Sequence, residues 1–233
     1  MGIFKKLYFK KKETIENFYP NGQLKEKGEL KYGEKEGLWE KFHDNGQLWK
    51  RHNYKNGKRD GLYEFYYIDG QLGCRGNFID GFGNGLWEYF DENGQLESRE
   101  NYKEGKENGL YETYYENGQL WERGNYIDGE LDGLFEFFNK NGQLDCRENY
   151  KNGKLEGLRE VFYGSSFERV NWKDGKKHGP YESFYNNGQL LGRGNYKNGK
   201  EHGPWEMFYQ NGQLSERGNY KNGKEHCSWE MFY

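Results

Sequence analysis

"EKFHDNGQLWKR", residues 40–51, reads as two short β-rich runs joined by Asn45-Gly46. Asn-Gly between such runs is the strongest short-range hairpin signal, because a type I′ turn needs positive φ at both central residues. A two-residue loop there sets His43 against Leu48, Phe42 against Trp49 and Glu40 against Arg51. An acid facing a base at a fixed distance from the turn is a register that can be tested elsewhere in the chain.

Repetition supplies the test. "NGQL" or "DGQL" starts at Asn21, Asn45, Asp69, Asn93, Asn117 and Asn141, 24 residues apart each time, and again at Asn187 and Asn211. The same arithmetic faces Glu64 with Arg75, Glu88 with Arg99, Glu112 with Arg123, Glu136 with Arg147, Glu182 with Arg193 and Glu206 with Arg217. In the first copy Glu16 faces Lys27. One copy has lost two residues and reads "EVFYGSSFER" over 160–169. A two-residue loop at Gly164-Ser165 still leaves Glu160 opposite Arg169, so the deletion removes one rung per strand and preserves the charge pair.

A second turn signal, "KNGKEHG" at 197–203, recurs between the first ones. A tight loop at its Asn-Gly would bring Pro180 and Pro204 well inside a strand, where proline is disfavoured. A longer loop is therefore expected, with strands near 23–31, 38–43, 47–55 and 62–67. An opening half-unit at Thr14–Tyr19 and a closing one at Ser228–Tyr233 complete nineteen strands. Such units bury surface only against their neighbours. The expected fold is all-β, an elongated single antiparallel sheet of tandem 24-residue β-hairpin repeats. Residues 14–233 form the repeat domain, about nine repeats plus terminal half-repeats, after a basic segment at 1–13.

Alternation along the strands sorts the side chains into two faces. One collects Trp39, Tyr63, Trp87, Tyr111, Phe135, Tyr181, Trp205 and Trp229. The same register lays Tyr63 across from Gly76 and Trp205 across from Gly218, the arrangement in which a ring covers bare strand. The other face carries the Glu–Arg ladder beside Phe42, Phe90, Phe138, Phe184 and Phe208. The expectation is that the eight rings are partly exposed and are the partner-binding side, since Tyr and Trp are enriched among interface anchors.

Composition narrows the function classes. Apolar residues make up 33% of the 233, charged residues 31% and aromatics 19%, with 35 Gly and no Ala. That mixture favours turns and strands over helices and is too aromatic for a disordered chain. The net charge of -3 gives no basic field for nucleic acid. The lysine run "KKLYFKKK" at 5–12 reads as a solvated end. No stretch has the ~18 consecutive apolar residues of a spanning helix. Three scattered cysteines, Cys74, Cys146 and Cys227, do not form a secreted disulfide framework. His178, His202 and His226 recur two strands apart, roughly 9–10 Å, too far for one zinc ion. No cofactor, no metal site and no enzyme activity are expected, and the expected location is cytoplasmic.

"GNYKNGKEHGPWEMFYQNGQL", residues 194–214, resembles the MORN-repeat variant family, the group that includes YwqK-type antitoxins. The likeness runs over nearly the whole chain. It implies β-hairpins stacked side by side and a role in binding. The leading expectation is a protein-binding module, in its most concrete form an antitoxin or immunity protein that masks a toxin. A structural or assembly scaffold, carbohydrate binding and membrane-surface binding through the aromatic face stand as alternatives.

Overall fold

The computed structural model describes residues 11–233, so most of the lysine run lies outside the described residues. The chain is all-β and antiparallel, built of successive hairpins, with no helix among the described residues. It divides into two compact units, Met1–Gly118 and Gln119–Tyr233. Within each unit every strand pairs with its sequence neighbours. Among the described residues, twenty-four strand segments make up the nineteen expected strands, because five of those strands are each split in two.

The predicted rungs that lie within one unit are all present. Glu40 faces Arg51, Glu64 faces Arg75 and Glu88 faces Arg99 in the first unit. Glu136 faces Arg147, Glu160 faces Arg169, Glu182 faces Arg193 and Glu206 faces Arg217 in the second. Glu16 faces Lys27 at the start. The shortened copy turns at Gly164-Ser165, with Phe162 opposite Phe167.

The two turns nevertheless exchange the roles expected of them. At Asn45-Gly46 only Gly46 is left-handed, at φ 86°. The Gly46 amide donates to the His43 carbonyl at 3.0 Å and the His43 amide donates to the Gln47 carbonyl at 2.8 Å. This is a three-residue loop, a type I turn closed by a glycine bulge. The tight I′ turn is the other one. Lys55 faces Lys58, and Asn56 and Gly57 have φ 48° and 76°. Tyr32 and Glu104 take the same left-handed position in other copies, so the turn is imposed by its setting as well as by Asn.

Bulges explain why the register survives this exchange. Phe42 faces Leu48, but Lys41 faces Lys50, so Trp49 is an extra residue that restores Glu40 to Arg51. Beyond each tight turn a second bulge follows. Tyr54 faces Arg59 and His52 faces Tyr63, with Gly61 at φ 107° between them. Pro180 and Pro204 follow the matching glycines, Gly179 and Gly203, so each occupies this bulge, where the ladder to the preceding strand is already interrupted. That is how a proline sits after a tight hairpin. Asparagine side chains close the gap: Asn101 Nδ2 donates to the Leu110 carbonyl at 2.7 Å, and Asn149 Nδ2 to that of Leu158 at 2.8 Å.

Within each unit successive tight turns are tied to one another, and in several copies the opposite edge is tied as well. The Gly57 amide donates to the Lys35 carbonyl at 2.9 Å, and the Gly81 amide to that of Arg59 at 2.7 Å, stacking turn on turn. At the opposite edge the Tyr67 hydroxyl donates to the Phe90 carbonyl, and that of Tyr185 to Phe208, both at 2.9 Å. The last strand is shorter than expected, Glu230–Met231, with left-handed Cys227 ahead of it.

Candidate functional site

The eight predicted rings lie on the face away from the ladder; four of them are partly exposed, as expected, and four are buried. Trp39, Trp87, Phe135 and Trp205 are only 4–9% exposed. Trp87 meets Tyr63 at 5.5 Å between centroids, and Phe78 and Tyr102 edge-on at 5.1 and 6.2 Å. Trp205 stacks on Tyr181 at 5.1 Å and meets Tyr196 and Tyr220 edge-on. These rings form the core of a one-layer sheet, each contact contributing about 0.5–1.5 kcal/mol beyond area burial.

The strand partners are those predicted, but the ring that covers each glycine is a different one. Tyr63 is opposite Gly76 in register, but the ring lying on Gly76 is Trp87, in the hairpin closed by the tight turn. A Cβ at Gly76 would stand 2.1 Å from the Trp87 ring, and one at Gly28 would stand 2.2 Å from Trp39. Gly194 and Gly218 are covered in the same way by Trp205 and Trp229. The pairing is complementary in size throughout. Where the position across the tight hairpin is larger, the ring is tyrosine: Tyr63 faces His52, Tyr111 faces Glu100 and Tyr181 faces Val170. In the shortened copy Arg159 replaces the ring and pairs with Glu148 at 2.6 Å. Residues 11 apart in the sequence carry this rule, and it was readable there.

The ladder obeys the same preference. Its closest ion pairs also cross the tight hairpin: Arg75 with Glu88 at 2.6 Å, Arg169 with Glu182 at 2.8 Å and Arg193 with Glu206 at 2.6 Å. Arg51 pairs with Glu64 and Arg123 with Glu136 in the same sense. Some acids bind both neighbours, as Glu88 does with Arg75 and Arg99. Burial pushes the Glu88 pKa up, but the two arginines outweigh it and hold the carboxyl below its usual value. Guanidinium groups also lie over the predicted Phe row, Arg169 on Phe184 at 4.8 Å and Arg193 on Phe208 at 5.6 Å.

Beside the ladder runs a row that the composition and the aromatic pattern do not single out. Leu38, Leu62, Leu86 and Leu110 in the first unit and Leu134 in the second are 44–49% exposed. They share the parity of the ladder glutamates, two residues before each, so they lie on the ladder face. Pro180 and Pro204 continue the phase in the second unit and wall a groove of about 450 Å³ whose floor includes Arg193 and Asn195. This face therefore offers, per hairpin, a half-buried Phe, a mutually satisfied ion pair and an exposed aliphatic group.

Charge chemistry elsewhere is sparse. Among the described residues no three His, Cys, Asp or Glu side chains converge as metal ligands. The three cysteines are free. His52 is buried between rings, and desolvation followed by nearby Arg59 and lysine charges lowers its pKa to about 4.

No curated protein matches the chain. Among solved structures, chains from the crystal structures of TcdB2-TccC3-Cdc42 and TcdB2-TccC3-TEV align with 94% and 95% of this chain, at 11% and 12% identity and a TM-score of 0.24. This chain spans 15% of the length of each of them. The MORN repeat variant matches residues 14–32, 35–56, 84–104, 107–128, 131–152, 177–198 and 201–222. With that phase repeated along most of its length, the chain belongs to the MORN repeat variant family.

Proposed function

We propose that this chain is a non-catalytic protein-binding repeat module, and that its binding surface is the ladder face. The observation that carries this reading is the exposed row Leu38, Leu62, Leu86 and Leu110. Four aliphatic groups at one phase of consecutive hairpins recur at about 10 Å intervals, two strand spacings apart. The Glu–Arg pairs beside them are already satisfied, so covering them leaves no charge unpaired, whereas burying a lone charge is costly. A protein surface with its own apolar ridge fits this combination. The most concrete form is an antitoxin-like role, in which the face covers a toxin held in the same compartment.

The test is affinity capture from the native cell with the intact chain and with a Leu62→Ser/Leu86→Ser variant. A specific partner retained by the former and lost by the latter supports the reading. Equal retention by both places the interface elsewhere. Growth rescue by co-expression of the chain with the captured protein distinguishes toxin masking from scaffolding.

A further inference from the structure

The core position beside each tight turn differs from copy to copy, and one difference leaves a cavity. In the first full copy Lys35 occupies it. Its Nζ lies 3.9 Å from the centre of the Trp39 ring and 5.1 Å from that of Tyr54. Those two rings meet edge-on at 6.4 Å and 73°. Two copies later the ring pair is reproduced: Trp87 and Tyr102 meet at 6.2 Å and 73°. The residue in the place of Lys35 is Gly83, and no side chain fills the space. A cavity of about 200 Å³ results, lined by Gly83, Trp87, Tyr89, Tyr102 and Gly105. Tyr89 lies roughly parallel to the indole at 6.3 Å, adding a third wall.

The charges around the cavity also lack the cation present in the first copy. Glu100 lies directly across the strand pair from Trp87 and is bound by the Tyr102 hydroxyl at 2.6 Å and the Ser98 hydroxyl at 3.3 Å, with no ion pair among the described residues. Glu107, across from Tyr102, has its pKa raised by burial and then by the Glu100 charge. One copy earlier the position of Gly83 is held by Arg59, which lies 5.1 Å over the Phe78 ring. The indole N–H of Trp87 is buried without an acceptor.

We infer that this cavity is a binding site for an external alkylammonium group, a lysine side chain or a small quaternary amine, held as the chain's own Lys35 is held on Trp39 and Tyr54. Aromatic faces attract a desolvated cation through their quadrupole, and three rings with two neighbouring carboxylates define that chemistry. The inference goes beyond the ladder-face reading, concerns the opposite face and does not rest on it.

The experiment follows the tryptophan indole N–H resonances of the full chain during titration with N-acetyl-lysine methylamide, with choline and with the neutral norleucine analogue, at constant ionic strength. The Trp87 signal is identified by its loss in Trp87→Phe. A saturable shift at millimolar charged probe and none with the neutral analogue is the expected result. The charged probe with the larger effect names the source, side chain or quaternary amine. Gly83→Lys should abolish the response, and a Cβ there meets nothing closer than 3.5 Å, so the variant fits. Lys35→Gly should make the Trp39 signal responsive as well. A silent Trp87 indole, an equal response to the neutral analogue, or an undiminished response in Gly83→Lys overturns the inference.

Discussion

Both faces of the first unit carry apolar side chains, and they use them in opposite ways. On the ring face Trp87 is buried on Gly76, with no room for one methyl group. On the ladder face Leu86, the residue before it, is 47% exposed. Neighbouring positions on one strand thus divide the work. The ring face holds the hairpins together, and the ladder face is left with aliphatic groups that the fold does not use. In a one-layer sheet, buriedness depends on what leans over from the adjacent hairpin, and hydrophobicity alone does not decide it.

The largest expected effect breaks this comparison from the ring side. Trp87→Ala should cost about 3–5 kcal/mol, as for other buried aromatic truncations. Gly76→Val should cost about 1–3 kcal/mol or more by overpacking. Leu86→Ala should stay within about 0.5 kcal/mol. Urea unfolding of the three variants measures all of these, and comparable losses at Trp87 and Leu86 would erase the distinction between the faces.

The two turns offer a contrast of intermediate size. Asn56 is left-handed and Asn45 is not. Placing a β-branched residue at φ near 50° costs about 1–2 kcal/mol. Asn56→Val should therefore lower stability by that amount, and Asn45→Val by less, since it carries no such backbone cost and loses two exposed side-chain bonds, the 2.9 Å one from the Gln47 amide and the 3.0 Å one to the Ile68 carbonyl. Equal costs would restore the turn assignment made from sequence.

A pH dependence should mark the ring face of the first unit. The His52 pKa is lowered to about 4 in the folded chain, against an ordinary value near 6.5. The unfolded chain takes up that proton first. The contribution of neutral His52 is therefore complete above pH ~6.5 and is lost as pH falls towards 4. His52→Val copies the pairing of Val170 with Tyr181. It should remove this part of the slope in unfolding measured from pH 7 to 4.

The smallest effect belongs to the ladder. Exchanging the charges of Arg193 and Glu206 should change stability by less than about 1 kcal/mol, because both side chains remain well hydrated. Such a reversal keeps the ion pair, so any partner loss it causes reports on recognition and not on folding.

Much of this architecture was legible from residues. The 24-residue phase, the Asn-Gly signals and the deletion that spares Glu160 and Arg169 lead to the observed rungs. What stayed hidden were features that cancel in a count. The loop at Asn45 is one residue longer than a tight turn and the bulge at Trp49 compensates for it, so the endpoints agree with the wrong turn. Pro180 and Pro204 argue against the tight turn only while no bulge is allowed for. The ring positions were readable, but their burial was not, because it depends on which neighbour each side chain leans towards. Trp against Gly and Tyr against His, Glu or Val, 11 residues apart, was the available signal. The leucine row was readable by parity with the ladder glutamates.

The division between the faces is tested most directly by hydroxyl-radical footprinting of the free protein, read residue by residue by mass spectrometry and normalised to intrinsic reactivity. Strong labelling at Leu38, Leu62, Leu86 and Leu110, with protection of Trp39 and Trp87, is expected. Free labelling of Trp39 and Trp87, with the leucines protected, would contradict the division.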